Sequence, residues 1–188
     1  SRRFRPLLTG ILAGVVLLMV TGAALRNFHQ IMSREAEATM RNSLRRTALA
    51  CALAVNPAAH ASLTEREQEN SQVYLDACGR LQEVKDAMEG PEKFRFVYTC
   101  ILREENVYFI LDPTPAGDAD GDGLDEKSYL MQPYPGASPE LFTALRRGAV
   151  TVMEEPQSDQ WGTFLSAFAP IKDAGGNTIA AAGVDMEL

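Results

Sequence analysis

The chain has 188 residues, of which 25 are acidic and 18 are basic, and its formal net charge is −7. Because nucleic-acid-binding surfaces are strongly basic, this charge balance argues against a DNA or RNA partner. The spacing of Cys51, Cys78 and Cys100 matches no zinc motif. We interpret at least one of them as a buried free thiol, and a Cys51–Cys78 disulfide between two helices stays open.

The first predicted element is a run of 19 uncharged residues at positions 7–25. A helix of this length crosses about 30 Å of hydrocarbon at about 1.5 Å per residue. A secretory signal peptide is the alternative, because Thr21-Gly22-Ala23-Ala24 resembles a cleavage site. Since the apolar core of a signal peptide is usually only about 7–15 residues long, we predict an uncleaved transmembrane helix.

Charges on the two sides of this run predict its orientation. Arg2, Arg3 and Arg5 precede it, whereas all 25 acidic residues follow Arg26. The positive-inside rule then places residues 1–6 in the cytoplasm as a short leader. We expect everything after residue 25 to lie in the periplasm or outside the cell, anchored in the inner membrane.

Two helices are predicted next. Apolar side chains recur every fourth residue and indicate an amphipathic juxtamembrane helix over residues 26–57, ended by Asn56-Pro57: Phe28, Met32, Ala36, Met40, Leu44 and Ala48. This stripe can pair with a second copy, so we expect a homodimer through the long helix. A second helix is predicted to begin at Thr64 with a capping box and to place Tyr74, Ala77 and Leu81 on one face.

From residue 94 the hydrophobic period changes to two, which indicates β-strands. Residues 94–101 and 107–111 form a predicted hairpin, and a polar loop covers residues 112–135. Ser138-Pro139-Glu140 opens a short helix that ends at Gly148. Three further strands are predicted, at about residues 151–154, 161–171 and 177–186. The sequence therefore predicts one α+β domain over residues 58–188, with helices flanking a central antiparallel five-stranded sheet.

These strands carry a family resemblance. Phe96-Val97-Tyr98-Thr99 followed by residues 107–112 resembles the first hairpin of extracytoplasmic Cache domains, the PAS-like sensor modules of bacterial transmembrane receptors. The segment 159–171, followed by Gly183-Val184-Asp185, is similar to the closing strands of that family. The transmembrane helix that continues into a long first helix is also typical of it.

The resemblance implies a PAS-like sensor domain that binds a small solute, such as an amino acid or a carboxylate, and passes a helix shift across the membrane. It implies no enzymatic activity for this chain. An output module such as a histidine kinase or a nucleotide or diguanylate cyclase is expected outside it. The alternative is a membrane-tethered structural or adhesion module, stabilised by calcium and without a signalling role.

In PAS-like sensors the ligand lies between the sheet and the long loop. The polar or amphipathic side chains that this layout can gather are the candidate ligand-binding residues: Tyr98, Asp112, Tyr129, Tyr134, Asp159, Trp161, Ser166 and Asp185. Packing in the core or at the rim is the alternative for each aromatic side chain. Arg95 is a candidate partner for a ligand carboxylate, but it alternates with Phe94 and Phe96, so the alternative is that its side chain simply faces solvent.

An acidic loop gives a second candidate site, for calcium. Asp118, Asp120 and Asp122 stand at positions 1, 3 and 5 of a calcium-loop pattern, and Glu126 stands at position 9. Position 12 is Tyr129, where the pattern requires a bidentate glutamate. A solvated Asp- and Gly-rich turn is the alternative.

The sequence shows no catalytic arrangement of residues. His29 and His60 are far apart along the chain, and no Ser/His/Asp or Cys/His grouping is evident. We predict that both histidines are ordinary surface residues.

Overall fold

The structure of the protein, a computed structural model, describes residues 4–88, 90, 93–119, 121 and 123–187, with the backbone alone for residues 4–17 and 20. Helices and one antiparallel sheet give the α+β fold that the sequence predicts. Contacts divide the chain into two compact units, Ser1–Met40 and Arg41–Leu188.

Helix α1 runs from Phe4 to Ala54. In the first unit Leu25, Phe28 and Met32 are exposed, whereas in the second unit Leu44 and Ala48 are fully buried. None of the helices in the described part is both long enough and apolar enough to cross a membrane. The side chains of residues 7–17 and 20, which belong to the predicted transmembrane helix, lie outside the described residues.

Asn56 ends α1 by capping the next helix, α2 (Pro57–Ala61). Its side-chain oxygen accepts hydrogen bonds from the backbone N–H groups of Ala58 and Ala59, at 3.0 and 3.1 Å. Pro57 occupies the first turn of α2, where no intrahelical N–H donor is needed. The predicted stop is therefore confirmed, and a short helix follows it.

The predicted start of the second long helix at Thr64 is wrong. Glu65 and Gln68 do form a capping box, but it opens a 3-10 helix over Arg66–Asn70. Helix α3 begins only at Gln72 and ends at Met88. At its start the Ser71 hydroxyl accepts a hydrogen bond from the Tyr74 N–H at 3.3 Å. The two successive caps divide what the sequence pattern suggests is one helix.

Among the described residues the sheet has six strands: Phe94–Arg103 (β1), Asn106–Leu111 (β2), Thr151–Val152 (β3), Gln157–Asp159 (β4), Gly162–Lys172 (β5) and Thr178–Glu187 (β6). Five of them follow the order β2-β1-β6-β5-β3, and the short strand β4 also pairs with β5. The five predicted strands are confirmed. Strand β4 was not predicted, because its sequence Gln-Ser-Asp has no apolar alternation.

Helix α4 (Pro139–Arg147) packs on β5 and β6. The Ser138 hydroxyl accepts a hydrogen bond from the Leu141 N–H at 3.2 Å and caps the helix start. Gly148 ends the helix with φ +61°, a left-handed conformation that favours glycine. Both predicted boundaries of this helix are confirmed.

Cross-strand register divides the central strands into two faces. One face, called the pocket face below, carries a row formed by Phe96, Asp185 and Ser166 across β1, β6 and β5. A second row on the same face is formed by Tyr98, Gly183 and Phe168. The helix face carries two intervening rows: Val97, Val184 and Ala167, then Thr99, Ala182 and Ala169. The side chains of the two faces are thus separated by the strand period of two.

Helix α2 reaches the helix face through His60. This imidazole is only 2 % exposed, and its Nε2 lies 2.8 Å from the Thr99 hydroxyl. The prediction of a surface histidine is therefore wrong for His60, because α2 folds back onto β1. All three cysteines are buried and free, so the alternative disulfide between Cys51 and Cys78 is not formed.

Candidate functional site

The pocket face of the sheet carries a cluster of aromatic rings with Phe109 at its centre. The Phe109 ring centroid lies 5.3 Å from that of Tyr98, 4.6 Å from that of Tyr134 and 5.7 Å from that of Trp161. Phe96 and Phe164 form an edge-to-face pair at 5.5 Å beside it. Such edge-on contacts hold the rings in fixed orientations.

Three carboxylates face the same space. Asp185 accepts a hydrogen bond from the Tyr98 hydroxyl at 3.1 Å and bonds to Ser166. Asp159 accepts one from the Tyr134 hydroxyl at 3.3 Å. Asp185 is 6 % exposed, so its negative charge is largely removed from water.

Asp112 is the third carboxylate, and it fastens the long loop. One of its oxygens accepts hydrogen bonds from the backbone N–H and the hydroxyl of Ser128, both at 2.8 Å. The other accepts from the Thr114 N–H at 2.9 Å. These bonds join the end of β2 to residue 128 across the loop.

Burial makes ionisation of this site unfavourable. Desolvation raises the pKa of Asp185 to about 7, although its bonds to Ser166 and Tyr98 act in the opposite direction. Desolvation also raises the pKa of Asp112 and of the Tyr98 and Tyr134 hydroxyls. Near neutral pH Asp185 is therefore a carboxyl group poised to ionise if a positive charge arrives.

The cavity enclosed by this cluster is small. Its volume is about 20 Å³, which is room for about one water molecule. Its lining includes the six aromatic residues, the three aspartates, Glu126 and Ser128, and among the described residues neither lysine nor arginine lines it.

Residues 125–128 form a strap across the cavity, and contacts along it hold it closed. The Trp161 indole N–H donates to the Asp125 carbonyl at 3.0 Å. A guanidinium nitrogen of Arg95 lies 3.1 Å from a carboxylate oxygen of Glu126. Together with the bonds between Ser128 and Asp112, these contacts join the strap to strands β1 and β2 and to the segment before β5.

The structure brings together most of the predicted ligand-binding residues. Six of them line the cavity: Tyr98, Asp112, Tyr134, Asp159, Trp161 and Asp185. Ser166 lies beside Asp185 and supports it. Tyr129 lies apart from the cavity lining, with the Arg66 guanidinium 4.1 Å from its ring centroid.

Sequence reasoning missed five lining residues: Phe96, Phe109, Phe164, Glu126 and Ser128. Alternation with Tyr98 along β1 was the signal that could have identified Phe96, because residues two apart on a strand share a face. No comparable signal exists for Glu126 and Ser128, which reach the cavity through the path of the loop.

The regular alternation that would turn Arg95 toward solvent is interrupted in the structure, and pairing with a ligand carboxylate stays a prediction. The register between β1 and β6 slips between Phe94 and Phe96, so that Arg95 forms a β-bulge. A bulge redirects the side chain of its extra residue. Here the Arg95 guanidinium lies 5.2 Å from the Phe96 ring centroid and pairs with Glu126 at the edge of the cavity.

The predicted calcium site falls partly outside the described residues, because Asp120 and Asp122 are not among them. Asp118 accepts hydrogen bonds from the Gly121 N–H at 2.6 Å and the Gly123 N–H at 2.9 Å. Within the described part no three metal-ligating side chains are grouped. The calcium site stays a prediction.

No protein-family model and no curated protein sequence matches this chain. Among solved structures the chain is similar to the ligand-binding domain of the Campylobacter jejuni chemoreceptor Tlp3. The complex of that domain with L-valine has a TM-score of 0.48 and 16 % sequence identity, and the match covers 84 % of this chain and 55 % of that one. For the complex with 4-methylisoleucine the TM-score is 0.48 and the sequence identity 14 %, and the match covers 84 % of this chain and 54 % of that one. The chain thus spans about half the length of these structures.

Proposed function

We propose that residues 41–188 form the ligand-sensing domain of a transmembrane signalling receptor, and that the pocket binds a small molecule carrying a positively charged amine. One observation carries the proposal: buried carboxylates and aromatic rings surround a cavity whose described lining has no basic side chain. A desolvated ammonium group is attracted both to carboxylates and to aromatic faces.

The charge state of the pocket supports a cationic ligand. Without a cation, burial keeps the pKa of Asp185 raised to about 7. An ammonium group beside it would favour the ionised form and supply the missing counter-charge. We therefore expect affinity to rise as pH increases from about 5 to 7 and then to level off, because binding requires the aspartate to lose its proton.

Transmission would use the contacts between the pocket side of the sheet and helix α1. Arg41 donates hydrogen bonds to the carbonyls of Met153 and Glu154, the second at 2.5 Å. Met153 in turn donates its N–H to the Ser166 carbonyl at 2.9 Å. Ser166 touches Asp185, so this chain of contacts links the pocket to the helix that would carry the signal.

The proposal has four further parts. Residues 7–25 anchor the chain in the membrane, and the domain lies outside the cytoplasm. Two copies dimerise through α1, and an output module lies outside this chain. The uncharged run of 19 residues and the three preceding arginines support the anchor. Retention of the chain in the membrane fraction after alkaline carbonate extraction tests the anchor independently of ligand binding.

Thermal denaturation of the purified chain against a panel of primary and quaternary amines tests the pocket. A ligand should raise the midpoint progressively, with the logarithm of its concentration once that concentration exceeds the Kd. Asp185→Asn should weaken binding by about 30-fold or more, because loss of one partner of a buried charge pair costs about 2–5 kcal/mol. Asp76→Asn, on the exposed surface of α3, is the matched control. Failure of every amine to raise the midpoint would reject the proposal.

A further inference from the structure

A second cavity adjoins the aromatic pocket. It has a volume of about 330 Å³ and shares Phe96 and Glu126 with the first cavity as common walls. Its basic groups come from Arg95 on β1 and Lys85 on α3. The Lys85 ammonium group donates a hydrogen bond to the Arg95 carbonyl at 2.8 Å, so both positively charged side chains lie near the start of β1.

Arg95 lines the second cavity, and its pairing with Glu126 brings its guanidinium to the edge of the first. The bulge between Phe94 and Phe96 redirects its side chain, and its guanidinium lies against the Phe96 ring. Its Nε is buried and has no hydrogen-bond partner among the described residues; the Glu187 carboxylate lies 4.0 Å away. A buried donor without a partner is costly, so this position favours an additional acceptor.

Glu126 forms an ion pair with Arg95 in the closed pocket. Its side chain is 7 % exposed, lines both cavities and pairs with Arg95 at 3.1 Å. The Glu126 N–H also donates to the Gly117 carbonyl at 3.1 Å, which fixes the strap in the position that covers the aromatic cavity. The same carboxylate therefore neutralises the arginine and helps to close the site.

We propose that Glu126 is a built-in competitor of the ligand: it occupies the anion-recognition group Arg95, and an acidic group on the ligand displaces it when the strap opens. This inference rests on the proposed amine site and extends it. The ligand then carries its amine in the aromatic pocket and an acidic group on Arg95. Exchange of one carboxylate for another keeps Arg95 paired, while the released Glu126 moves into solvent with the strap.

Matched ligand pairs that differ only in a carboxylate test the proposal. L-leucine with isopentylamine, L-phenylalanine with phenethylamine, and glycine betaine with choline are suitable probes, titrated calorimetrically into the purified chain. We expect the carboxylated member of the best-binding pair to bind about tenfold or more tightly than its partner, as one charge-assisted bidentate contact supplies.

Substitutions then assign that difference to Arg95 and Glu126. Arg95→Gln should abolish the preference for the carboxylated member while leaving the amine within about threefold. Glu126→Gln should tighten binding of the carboxylated member by about threefold to tenfold, because the competitor loses its charge, and this gain should vanish in the Arg95→Gln background. Lys93→Gln, an exposed lysine two residues before Arg95, controls for a general loss of positive charge.

Folding is checked by the thermal midpoint of each variant, and Arg95→Lys provides a milder change that keeps the charge but loses the bidentate fork. Glu126→Gln should also speed backbone hydrogen exchange of residues 125–128 in the free chain, which needs no ligand. If amines bind but carboxylation and Glu126→Gln make no difference, the inference is wrong and the amine site stands. If neither amines nor their carboxylated partners bind, both proposals are overturned.

Discussion

The two faces of the central sheet place the same strands in different chemical environments. On the helix face the buried polar Thr99 has two partners, His60 and the Leu111 N–H at 3.0 Å. On the pocket face buried carboxylates meet hydroxyl groups, with no cation among the described residues that line the cavity. The helix face is organised for stability, whereas the pocket face carries an electrostatic cost that a cationic ligand would relieve.

The largest expected effect is a stability loss from the helical layer that leaves the pocket unchanged. Leu81 of α3 is fully buried, so Leu81→Ala should lower the free energy of unfolding by about 2–5 kcal/mol. Leu75→Ala, the same substitution on the same helix at a residue 52 % exposed, should cost well under half as much. Urea denaturation measures both, and equal losses would contradict this division of roles.

Glycine at position 183 permits the close approach of Tyr98 to β6. A β-carbon there would lie 2.5 Å from the Tyr98 ring. Gly183→Ala should therefore displace the ring from Asp185, lower stability by about 1–3 kcal/mol and abolish amine binding. Gly79→Ala in α3, where a β-carbon meets open space, should instead stabilise the chain by about 0.5–1 kcal/mol. Retained binding by Gly183→Ala would sink the proposed role of Tyr98.

Asp185 should make the free chain less stable as pH rises. Burial raises its pKa in the folded state to about 7, above the ordinary value of 3.8, so the folded state binds more protons between these limits. Stability then falls across that pH interval, and the full cost is present above pH 7. Asp185→Asn should stabilise the chain at pH 8 by on the order of 2–4 kcal/mol while weakening amine binding.

The effect of Asp185→Asn should nearly disappear at pH 4, because the carboxyl is then protonated in the folded state and close to half protonated in the unfolded state, which leaves little of the pH-dependent cost. Urea denaturation at the two pH values provides this internal control. A variant that is destabilised at pH 8 would show that the carboxylate belongs to the packing of the sheet and not to a ligand site.

His60 should give the opposite pH dependence on the helix face. Burial lowers the pKa of His60 to about 4, below its ordinary value of 6.5, so the unfolded state binds more protons between these limits. Stability should therefore fall as pH drops from 6.5 to 4. His60→Gln should flatten this acid arm, with a difference on the order of 1–2 kcal/mol at pH 5. If the stability of His60→Gln falls as steeply at acidic pH as that of the original chain, other groups cause the loss of stability.

Arg41 should give the smallest change in stability. Arg41→Ala removes hydrogen bonds to two partly exposed carbonyls and should cost about 1 kcal/mol or less. Amine affinity should stay within about twofold. In the Arg41→Ala variant we expect that ligand binding no longer alters the backbone hydrogen exchange of residues 41–54. Arg45→Ala, at an exposed position of the same helix, should preserve this response.

Elements with strong local signals could be predicted from the sequence. Ser138, Pro139 and Gly148 define α4 through caps that involve only neighbouring residues. The first hairpin was also predictable, although its turn residues Glu104 and Glu105 have φ values of +46° and +71°, which are uncommon for residues other than glycine. Where caps and turns involve only neighbouring residues, as in α4 and the first hairpin, local chemistry was therefore enough to predict the element and its position.

The remaining features depend on partners distant in sequence. The bulge at Arg95 arises from pairing with β6, about 90 residues later, so alternation within β1 gives the wrong orientation. His60 is buried because α2 folds against Thr99. Strand β4 exists because β5 supplies its hydrogen bonds. The six predicted residues that line the cavity were grouped from the layout of PAS-like sensors, and their spacing along the chain alone does not bring them together.

The closed aromatic cavity, which holds about one water molecule, has a kinetic consequence. A ligand larger than water enters only after residues 125–128 detach, so the association rate should become independent of ligand concentration once opening is slower than encounter. If the chain has the proposed sensor role, it would respond to a solute that persists for longer than the opening time. Brief fluctuations in concentration would leave it unchanged, and the strap would then act as a temporal filter.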